Sequence, residues 1–277
     1  MDYRILVPID FTEITENALK YAIGAAKPLS TGICLLHIAE SEEKKISTME
    51  GLEALISKYE GHNVPLKPIT TMGNIYDTIS KTAEQEGAGV IFIGTHGMKG
   101  LQRLIGSNAL RVITNSKVPF VITQDRIPND NDIDDIVVPI DMATEDKQIL
   151  TSVIRSSHVF KAKVHLFVNK RSDKFLDNAV ARNLAFSKKY LTEHDVNFTI
   201  SHTNEMDTFE NELIRFSQNI GADMIAIVNH HEGGLTNLLG NNFDQNVITN
   251  DAKIPVLIAN SVDNSSIDNI FGVFGYA

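Results

Sequence analysis

Four small residues in the first half of the chain have the types and the spacing of a phosphate-binding turn. Gly94 and Gly97 are followed, after a spacer of eight residues, by Gly106 and Ser107. Glycine lets the backbone approach an anion closely and adopt positive φ angles, and the serine hydroxyl can donate a hydrogen bond. Short glycine patterns also occur in ordinary turns, so the glycines alone leave both interpretations open.

The segments on either side of this motif favour phosphate binding. An apolar run at residues 90–93 precedes the motif and predicts a buried strand. Residues 108–113 follow it and predict the first turns of a helix. A helix N-terminus presents N–H groups and the positive end of its dipole to an anion. The sequence therefore predicts a strand, a glycine turn and a helix start that could together hold a phosphate group.

Composition and charge argue against several classes of protein. The chain has 277 residues, 43% of them hydrophobic, yet no apolar run approaches the roughly 18 residues of a membrane span. The formal net charge of −10 disfavours nucleic acid or an anionic membrane as a general partner. The single cysteine, Cys34, lies in an apolar run that predicts a buried thiol, and no signal peptide precedes the first strand. These features predict a cytoplasmic protein.

Strand and helix patterns alternate through the first half of the chain. The predicted strands cover residues 4–10, 33–38, 64–71, 90–93 and 120–122. Helices are predicted between them, and this alternation calls for a parallel sheet with helices on both faces. In such sheets ligands lie beyond the carboxyl ends of the strands, where Asp10, Ile38 and the turn at 94–97 are expected. A structural alternative for Asp10 is the N-cap of the next helix, with Glu13 as its capping-box partner.

The whole pattern restarts after a polar, turn-prone stretch at residues 124–134. Residues 137–141 repeat residues 6–10 at an offset of 131 positions, and later matches in the same order lie 134 and 135 positions apart. Colinear matches of this kind indicate an internal duplication. The sequence therefore predicts two domains, at residues 1–127 and 128–262. A tail at 263–277, with aromatic residues among glycines, is expected to be disordered or to dock on a domain.

The glycine motif and the first strand resemble those of the universal stress protein family. Gly-x-x-Gly, a spacer and Gly-Ser is similar to the family's nucleotide-binding motif, with a spacer one residue shorter than usual. Residues 4–10 resemble its first strand and strand-end aspartate. The duplication extends the resemblance over nearly the whole chain. It implies an α/β fold of two tandem doubly wound parallel-sheet domains, Rossmann-like and similar to adenine nucleotide alpha hydrolases. These domains would form an intramolecular pseudo-dimer through their final strands.

The resemblance also implies a ligand and the residues that hold it. The ligand would be an adenine nucleotide, ATP with AMP and ADP as alternatives, in the N-terminal domain. The positions carried over from the family lie at strand ends and in the glycine motif. They are Pro8, Ile9 and Asp10 at the adenosine end, Ile38 at adenine through its backbone, Ile93 and Gly94 under the ribose, and His96, Gly97, Gly106, Ser107 and Asn108 around the phosphates.

The second half lacks the residues that would hold a phosphate. Asn229 and Glu232 stand where the first half has Gly94 and Gly97, and the basic residues near the first motif have no counterparts. Residues 1–127 carry 13 Lys and Arg against 14 Asp and Glu, a net charge of −1. The rest of the chain carries 12 against 21, a net charge of −9. We therefore expect nucleotide in the first half only.

No nucleophile or paired-carboxylate motif predicts catalysis, so the expected role is a stress-linked sensor or scaffold with an unidentified protein partner. A homodimer of whole chains is a further expectation. One alternative is a nucleotide-free interaction module, if the shorter spacer closes the site. Another is an adenylating enzyme of the same superfamily, which is disfavoured because no glycine follows the first strand. The adjacent His230 and His231 predict no metal site, since neighbouring side chains on an extended segment point to opposite sides.

Overall fold

A computed structural model of the chain describes residues 2–95, 116–127, 133–142, 147–170, 172–204, 206–229 and 246–260. These residues fall into two units, 2–127 and 133–260. The predicted domain limits at 127, 128 and 262 and the predicted tail remain predictions, because the chain at 128–132 and 261–277 lies outside the described residues.

The first unit alternates strands and helices along the chain. Its strands are β1 (Tyr3–Pro8), β2 (Gly32–Ile38), β3 (Leu66–Thr71), β4 (Val90–Gly94) and β5 (Phe120–Thr123). Its helices are α1 (Glu13–Leu29), α2 (Glu42–Tyr59) and α3 (Ile75–Glu86), with a 3-10 turn at Glu60–His62. The strands pair in parallel in the order β3-β2-β1-β4-β5. The central strand is therefore β1, and β3 lies at an edge, where Pro68, which has no N–H to donate, is tolerated.

The core of the first unit lies on both faces of its sheet. Three successive residues of β1, Ile5, Leu6 and Val7, are fully buried. Neighbouring strand residues point to opposite faces, so this pattern requires cover on both sides. The apolar face of α1, which includes Ile14 and Ala18, is buried as well. The continuous apolar runs of the sequence thus become strands buried between helices.

The second unit repeats the same topology. Its strands are β6 (Asp135–Ile140), β7 (Lys163–Val168), β8 (Phe198–His202), β9 (Met224–Asn229) and β10 (Val256–Asn260). Its helices are α4 (Lys147–Phe160), α5 (Lys174–Glu193) and α6 (Phe209–Ile220). The strands pair in parallel in the order β8-β7-β6-β9-β10. The predicted α/β class with two parallel-sheet domains is therefore confirmed, while the predicted pseudo-dimer through the final strands remains a prediction.

The single cysteine is a structural residue, as its apolar surroundings predict. Cys34 lies on β2 and is fully buried. Burial and then the nearby Glu86 carboxylate raise the pKa of the Cys34 thiol to about 12. A thiol with so high a pKa carries almost no thiolate at neutral pH and is a poor nucleophile.

Among the helices of the described residues, none combines the length and the apolarity that crossing a bilayer requires. Within the same residues no group of three or more His, Cys, Asp or Glu side chains is arranged to hold a metal ion. His230, His231 and Glu232 lie outside them.

Candidate functional site

The carboxyl ends of β1, β2 and β4 meet at one edge of the first sheet, because β1 pairs in parallel with both of its neighbours. Several predicted site residues come to this edge. They are Pro8, Ile9 and Asp10 at the end of β1, Ile38 at the end of β2, and Ile93 and Gly94 at the end of β4. The other predicted site residues lie outside the described part of the chain, and they are His96, Gly97, Gly106, Ser107 and Asn108.

The Asp10 carboxylate is tied to the first turn of α1. Its Oδ1 accepts hydrogen bonds from the Thr12 N–H at 3.0 Å, the Thr12 hydroxyl at 2.6 Å and the Thr15 hydroxyl at 2.9 Å. The N-cap of the helix is Thr12, whose side chain accepts from the Thr15 N–H. The expectation that Asp10 itself caps α1, with Glu13 as its partner, is therefore wrong. Phe11 adopts a φ of 64°, which adds a turn between strand and helix and moves the cap two residues along.

These hydrogen bonds also set the charge of Asp10. Burial alone would raise the pKa of its carboxyl, but the hydrogen bonds from Thr12 and Thr15 stabilise the ionised form, so the pKa is lowered from its usual value. Asp10 is thus a carboxylate at neutral pH. A carboxylate accepts hydrogen bonds and cannot donate them, so Asp10 suits a hydroxyl or amino group and repels a phosphate.

Gly94 brings the end of β4 against the start of α1. A Cβ atom on Gly94 would lie 2.5 Å from the Ile14 carbonyl oxygen and 2.8 Å from Ile14 Cγ2. Such distances are too short for a real Cβ, so only glycine permits this helix–strand contact. Beyond Gly94, the Thr95 N–H donates to the Thr123 carbonyl at 2.8 Å. The first glycine of the motif therefore has a packing role that is independent of any ligand.

The backbone at the end of β2 presents an unused donor in the first unit. The Ile9 N–H donates to the Leu36 carbonyl at 2.8 Å, whereas the Ile33 N–H donates towards β3. Backbone direction alternates along a strand, so the peptide groups of Ile38, two residues after Leu36, face the end of β1. The Ile9 carbonyl there accepts instead from the His37 ring, with Nδ1 at 2.7 Å. Among the described residues, the Ile38 N–H forms no hydrogen bond with the Ile9 carbonyl, and the β1–β2 ladder ends at the pair Pro8↔Leu36.

The corresponding backbone position is closed in the second unit. At the same offset of 131 positions, Ile140 replaces Ile9, Val168 replaces His37 and Asn169 replaces Ile38. The Asn169 N–H donates to the Ile140 carbonyl at 2.9 Å. The ladder of β6 and β7 accordingly includes the pair Ile140↔Val168, while that of β1 and β2 ends one step earlier at Pro8↔Leu36.

The strand-end aspartate of the second unit has different partners. Asp141 Oδ1 accepts from the Met142 N–H at 2.7 Å, and the Asp141 carbonyl accepts from Asn183 Nδ2 at 2.7 Å. Residues 143–146 and 230–245, which adjoin this edge in sequence, lie outside the described residues. The second unit thus keeps a strand-end aspartate without the open backbone donor beside it.

Two residues of this edge, His37 and Phe11, were not among the predicted site residues. Their rings are in contact, with centroids 5.0 Å apart. The sequence contains one signal for His37, because the repeat places Val168 opposite it within otherwise similar apolar strands. The sequence contains no pattern that predicts the positive φ of Phe11.

Comparison with known proteins identifies the first unit. The model of the universal stress protein family matches residues 2–124. Two universal stress proteins of Methanocaldococcus jannaschii are similar to the chain, at 26% identity over 152 residues and 29% over 139. Each match covers 44% of this chain, and they cover 94% and 81% of the relatives.

Solved structures are similar to the chain over both units. Among them is the crystal structure of a universal stress protein from Archaeoglobus fulgidus, with a TM-score of 0.75 at 18% identity. The match covers 94% of this chain and 97% of the other. An identity this low shows the shared fold alone. Residues 2–124 therefore form a domain of the universal stress protein family.

Proposed function

We propose that the first unit binds an adenine nucleotide, ATP, at the carboxyl edge of its sheet, and that the chain acts as a stress-linked sensor or scaffold. The observation that carries the proposal is the open backbone N–H of Ile38 at the same sheet edge as the ionised Asp10. A backbone N–H with its own C=O offers one donor and one acceptor. Adenine presents the complementary pair, a ring nitrogen and an amino group, on its Watson–Crick edge.

Asp10 would contact the ribose rather than the phosphates. Its carboxylate is ionised and accepts hydrogen bonds, so ribose hydroxyls are suitable partners, and it would repel a polyphosphate. The phosphates are then proposed to bind at the glycine motif. The backbone N–H groups of Gly97 and Gly106 and the Ser107 hydroxyl would donate hydrogen bonds to them. AMP and ADP share the adenosine end with ATP and would use the same edge.

The second unit is proposed to bind no nucleotide. Its Asn169 N–H is already bonded to the Ile140 carbonyl, so the donor that would contact adenine is occupied. Glu232 places a negative charge where the first half has a glycine, and residues 128–277 carry a net charge of −9. Backbone geometry and charge thus both disfavour a nucleotide, although salt screens the charge over about 8–10 Å.

Calorimetric titration of the full chain with ATP tests this asymmetry. We expect one equivalent of ATP per chain, because only the first unit has an open donor and a glycine motif. Titrations with AMP and ADP under the same conditions show whether the adenosine end dominates the affinity. Two equivalents would contradict the asymmetric proposal. The absence of binding would contradict nucleotide binding itself and favour the nucleotide-free interaction module.

Gly97→Val tests the phosphate turn. A β-branched side chain at this turn would stand between backbone and phosphate, and loss of the hydrogen bonds should weaken ATP binding about tenfold to a hundredfold. Gly61→Val is the matched control, since a Cβ at Gly61 meets no atom within 4 Å and this residue lies in the turn after α2. Unchanged ATP affinity in Gly97→Val would show that the turn is only structural.

A further inference from the structure

The open strand end of the first unit and the closed strand end of the second differ in the side chain next to the backbone donor, which is His37 in the first unit and Val168 in the second. In the first unit, the His37 ring donates to the Ile9 carbonyl, and the Ile38 N–H forms no bond to that carbonyl in the described part of the chain. In the second unit, Val168 stands in the place of histidine and the backbone hydrogen bond has formed. We propose that His37 is a positioning residue that keeps the Ile38 N–H available to a ligand. The inference rests on the proposed function, because it explains what holds the adenine position open.

The chemistry of the His37 contact explains how one side chain can do this. A carbonyl oxygen only accepts hydrogen bonds, so His37 Nδ1 must carry the proton and donate to the Ile9 carbonyl. A strand-end carbonyl without such a partner pairs with the next N–H of the neighbouring strand, as Ile140 does with Asn169. The imidazole thus competes with the Ile38 N–H for the Ile9 carbonyl, and the β1–β2 ladder ends at Pro8↔Leu36. Valine cannot donate a hydrogen bond, so the ladder of the second unit continues to Ile140↔Val168.

The orientation of the His37 ring is set by its neighbours. The Phe11 ring packs against it with centroids 5.0 Å apart and an angle of 30° between the planes. Phe11 in turn lies directly over α2, where a Cβ on Gly51 would come within 3.0 Å of Phe11 Cζ. The Phe11 backbone has a positive φ of 64°, which is uncommon for a bulky residue. Its ring thus lies between the His37 ring and α2, against the side chain that donates to Ile9.

The open donor also predicts which base the site prefers. The Ile38 N–H would donate to a ring nitrogen of the base, and the Ile38 carbonyl would accept from an exocyclic amino group. Adenine has an acceptor and a donor at these positions. Guanine has a ring N–H and a carbonyl there, so the Ile38 N–H would face a donor and the Ile38 carbonyl would face an acceptor. The nucleotide class is thus an adenine nucleotide, and loss of the open N–H should reduce the preference for ATP over GTP.

Amide hydrogen exchange of the ligand-free full chain, followed by NMR, tests the proposal without any nucleotide. In the wild-type protein, the Ile38 amide should exchange at least about tenfold faster than the Asn169 amide, which is hydrogen-bonded at the same position of the other unit. This comparison lies within one molecule and needs no variant. Equal protection of the two amides would overturn the proposal.

Variants then separate the donor from the ring. His37→Phe keeps an aromatic ring against Phe11 and removes the donor, so the Ile38 amide should become protected by about tenfold or more. His37→Asn restores a donor close to the position of Nδ1 and should leave Ile38 exchanging as in the wild type. His62→Phe is the matched control, because His62 contacts the Tyr59 ring at 5.7 Å and lies in the turn after α2. Identical Ile38 exchange in wild type and His37→Phe would overturn the role of His37.

Calorimetry on the same proteins distinguishes the two proposals. We expect His37→Phe to bind ATP about tenfold more weakly than wild type and to discriminate less against GTP, with His37→Asn restoring both. If the wild-type chain binds no ATP but its Ile38 amide exchanges faster than its Asn169 amide, nucleotide binding is contradicted and the positioning role of His37 is supported. If the chain binds ATP tightly but the Ile38 and Asn169 amides exchange equally, the positioning role of His37 is contradicted and nucleotide binding is supported.

Discussion

Gly94→Ala is expected to lower the free energy of unfolding of the first unit by about 1–3 kcal/mol, the usual cost of forcing an extra carbon into a packed contact. The new Cβ would lie 2.5 Å from the Ile14 carbonyl oxygen. That oxygen belongs to the backbone of α1, so it cannot swing aside as a flexible side chain would. Strand β4 or helix α1 must shift instead. Urea unfolding followed by circular dichroism measures the change.

A second glycine gives the matched control for this experiment. Gly24 lies inside α1, and a Cβ there would meet no atom within 4 Å. Gly24→Ala should therefore raise the stability by about 0.5–1 kcal/mol, because alanine loses less backbone entropy in a helix. The same chemical change thus has opposite signs at two positions of one unit. Equal stability of Gly94→Ala and wild type would show that the β4–α1 contact relaxes without cost.

Glu212→Ala is expected to destabilise the second unit by about 2–4 kcal/mol, the range for removing a buried charged acceptor from several donors. The Glu212 side chain is buried on α6, and its carboxylate accepts three backbone N–H groups of the preceding loop. These bonds join Oε2 to the Asn204 N–H at 2.7 Å, and Oε1 to the N–H groups of Met206 at 2.8 Å and Asp207 at 3.1 Å. Alanine would leave all three donors without this acceptor.

The contribution of Glu212 should depend on pH in a defined direction. Burial alone would raise the pKa of Glu212, but the backbone N–H groups of Asn204, Met206 and Asp207 lower it from its usual 4.5. A group with a depressed folded-state pKa stabilises the protein above its unfolded-state pKa and loses that effect as the pH falls through the folded value. The stability difference between wild type and Glu212→Gln should therefore be constant near neutral pH and shrink below about pH 4.5.

An exposed glutamate serves as the control for the pH experiment. Glu193, at the end of α5, pairs with Lys189 at 3.7 Å, and its side chain is 54% exposed. Exposed ion pairs contribute little to stability, so Glu193→Gln should unfold like the wild type at every pH. A difference between wild type and Glu212→Gln that stays the same down to pH 3 would show that the loop does not depend on the charge of Glu212.

The architecture was predictable from sequence because its signals are local. Apolar runs with alternating helical patterns predict parallel strands and covering helices, and the observed strands fall close to the predicted ones, as β1 at Tyr3–Pro8 does. The repetition of that order after residue 134 predicts a second copy of the topology. Pro68 in β3 and Pro65 just before it predict an edge strand, since proline cannot donate to a ladder. Each strand and helix signal depends on neighbours within a few positions along the chain, and the second copy is indicated by the same short patterns recurring in the same order.

The sequence also determined which half could carry a phosphate-binding motif, since that requires only the presence or absence of glycines and charges. It could not determine what the first glycine does. Gly94 contacts Ile14, a residue 80 positions away in the chain, so its packing role is set by how β4 meets α1. The helix cap is likewise Thr12 rather than Asp10, because Phe11 adopts a positive φ and adds a turn before the helix.

The open strand end at Ile38 was decided by tertiary structure alone. Both units have similar apolar strands at this edge, and no local pattern says which carbonyl a backbone N–H will find. Whether the strand end stays open depends on the side chain of the neighbouring strand. His37 reaches the Ile9 carbonyl, with Nδ1 at 2.7 Å. Val168 cannot donate, so the Ile140 carbonyl accepts the backbone N–H of Asn169. A hydrogen bond needs a donor and an acceptor within about 3 Å, and for residues on different strands only the folded chain supplies that proximity.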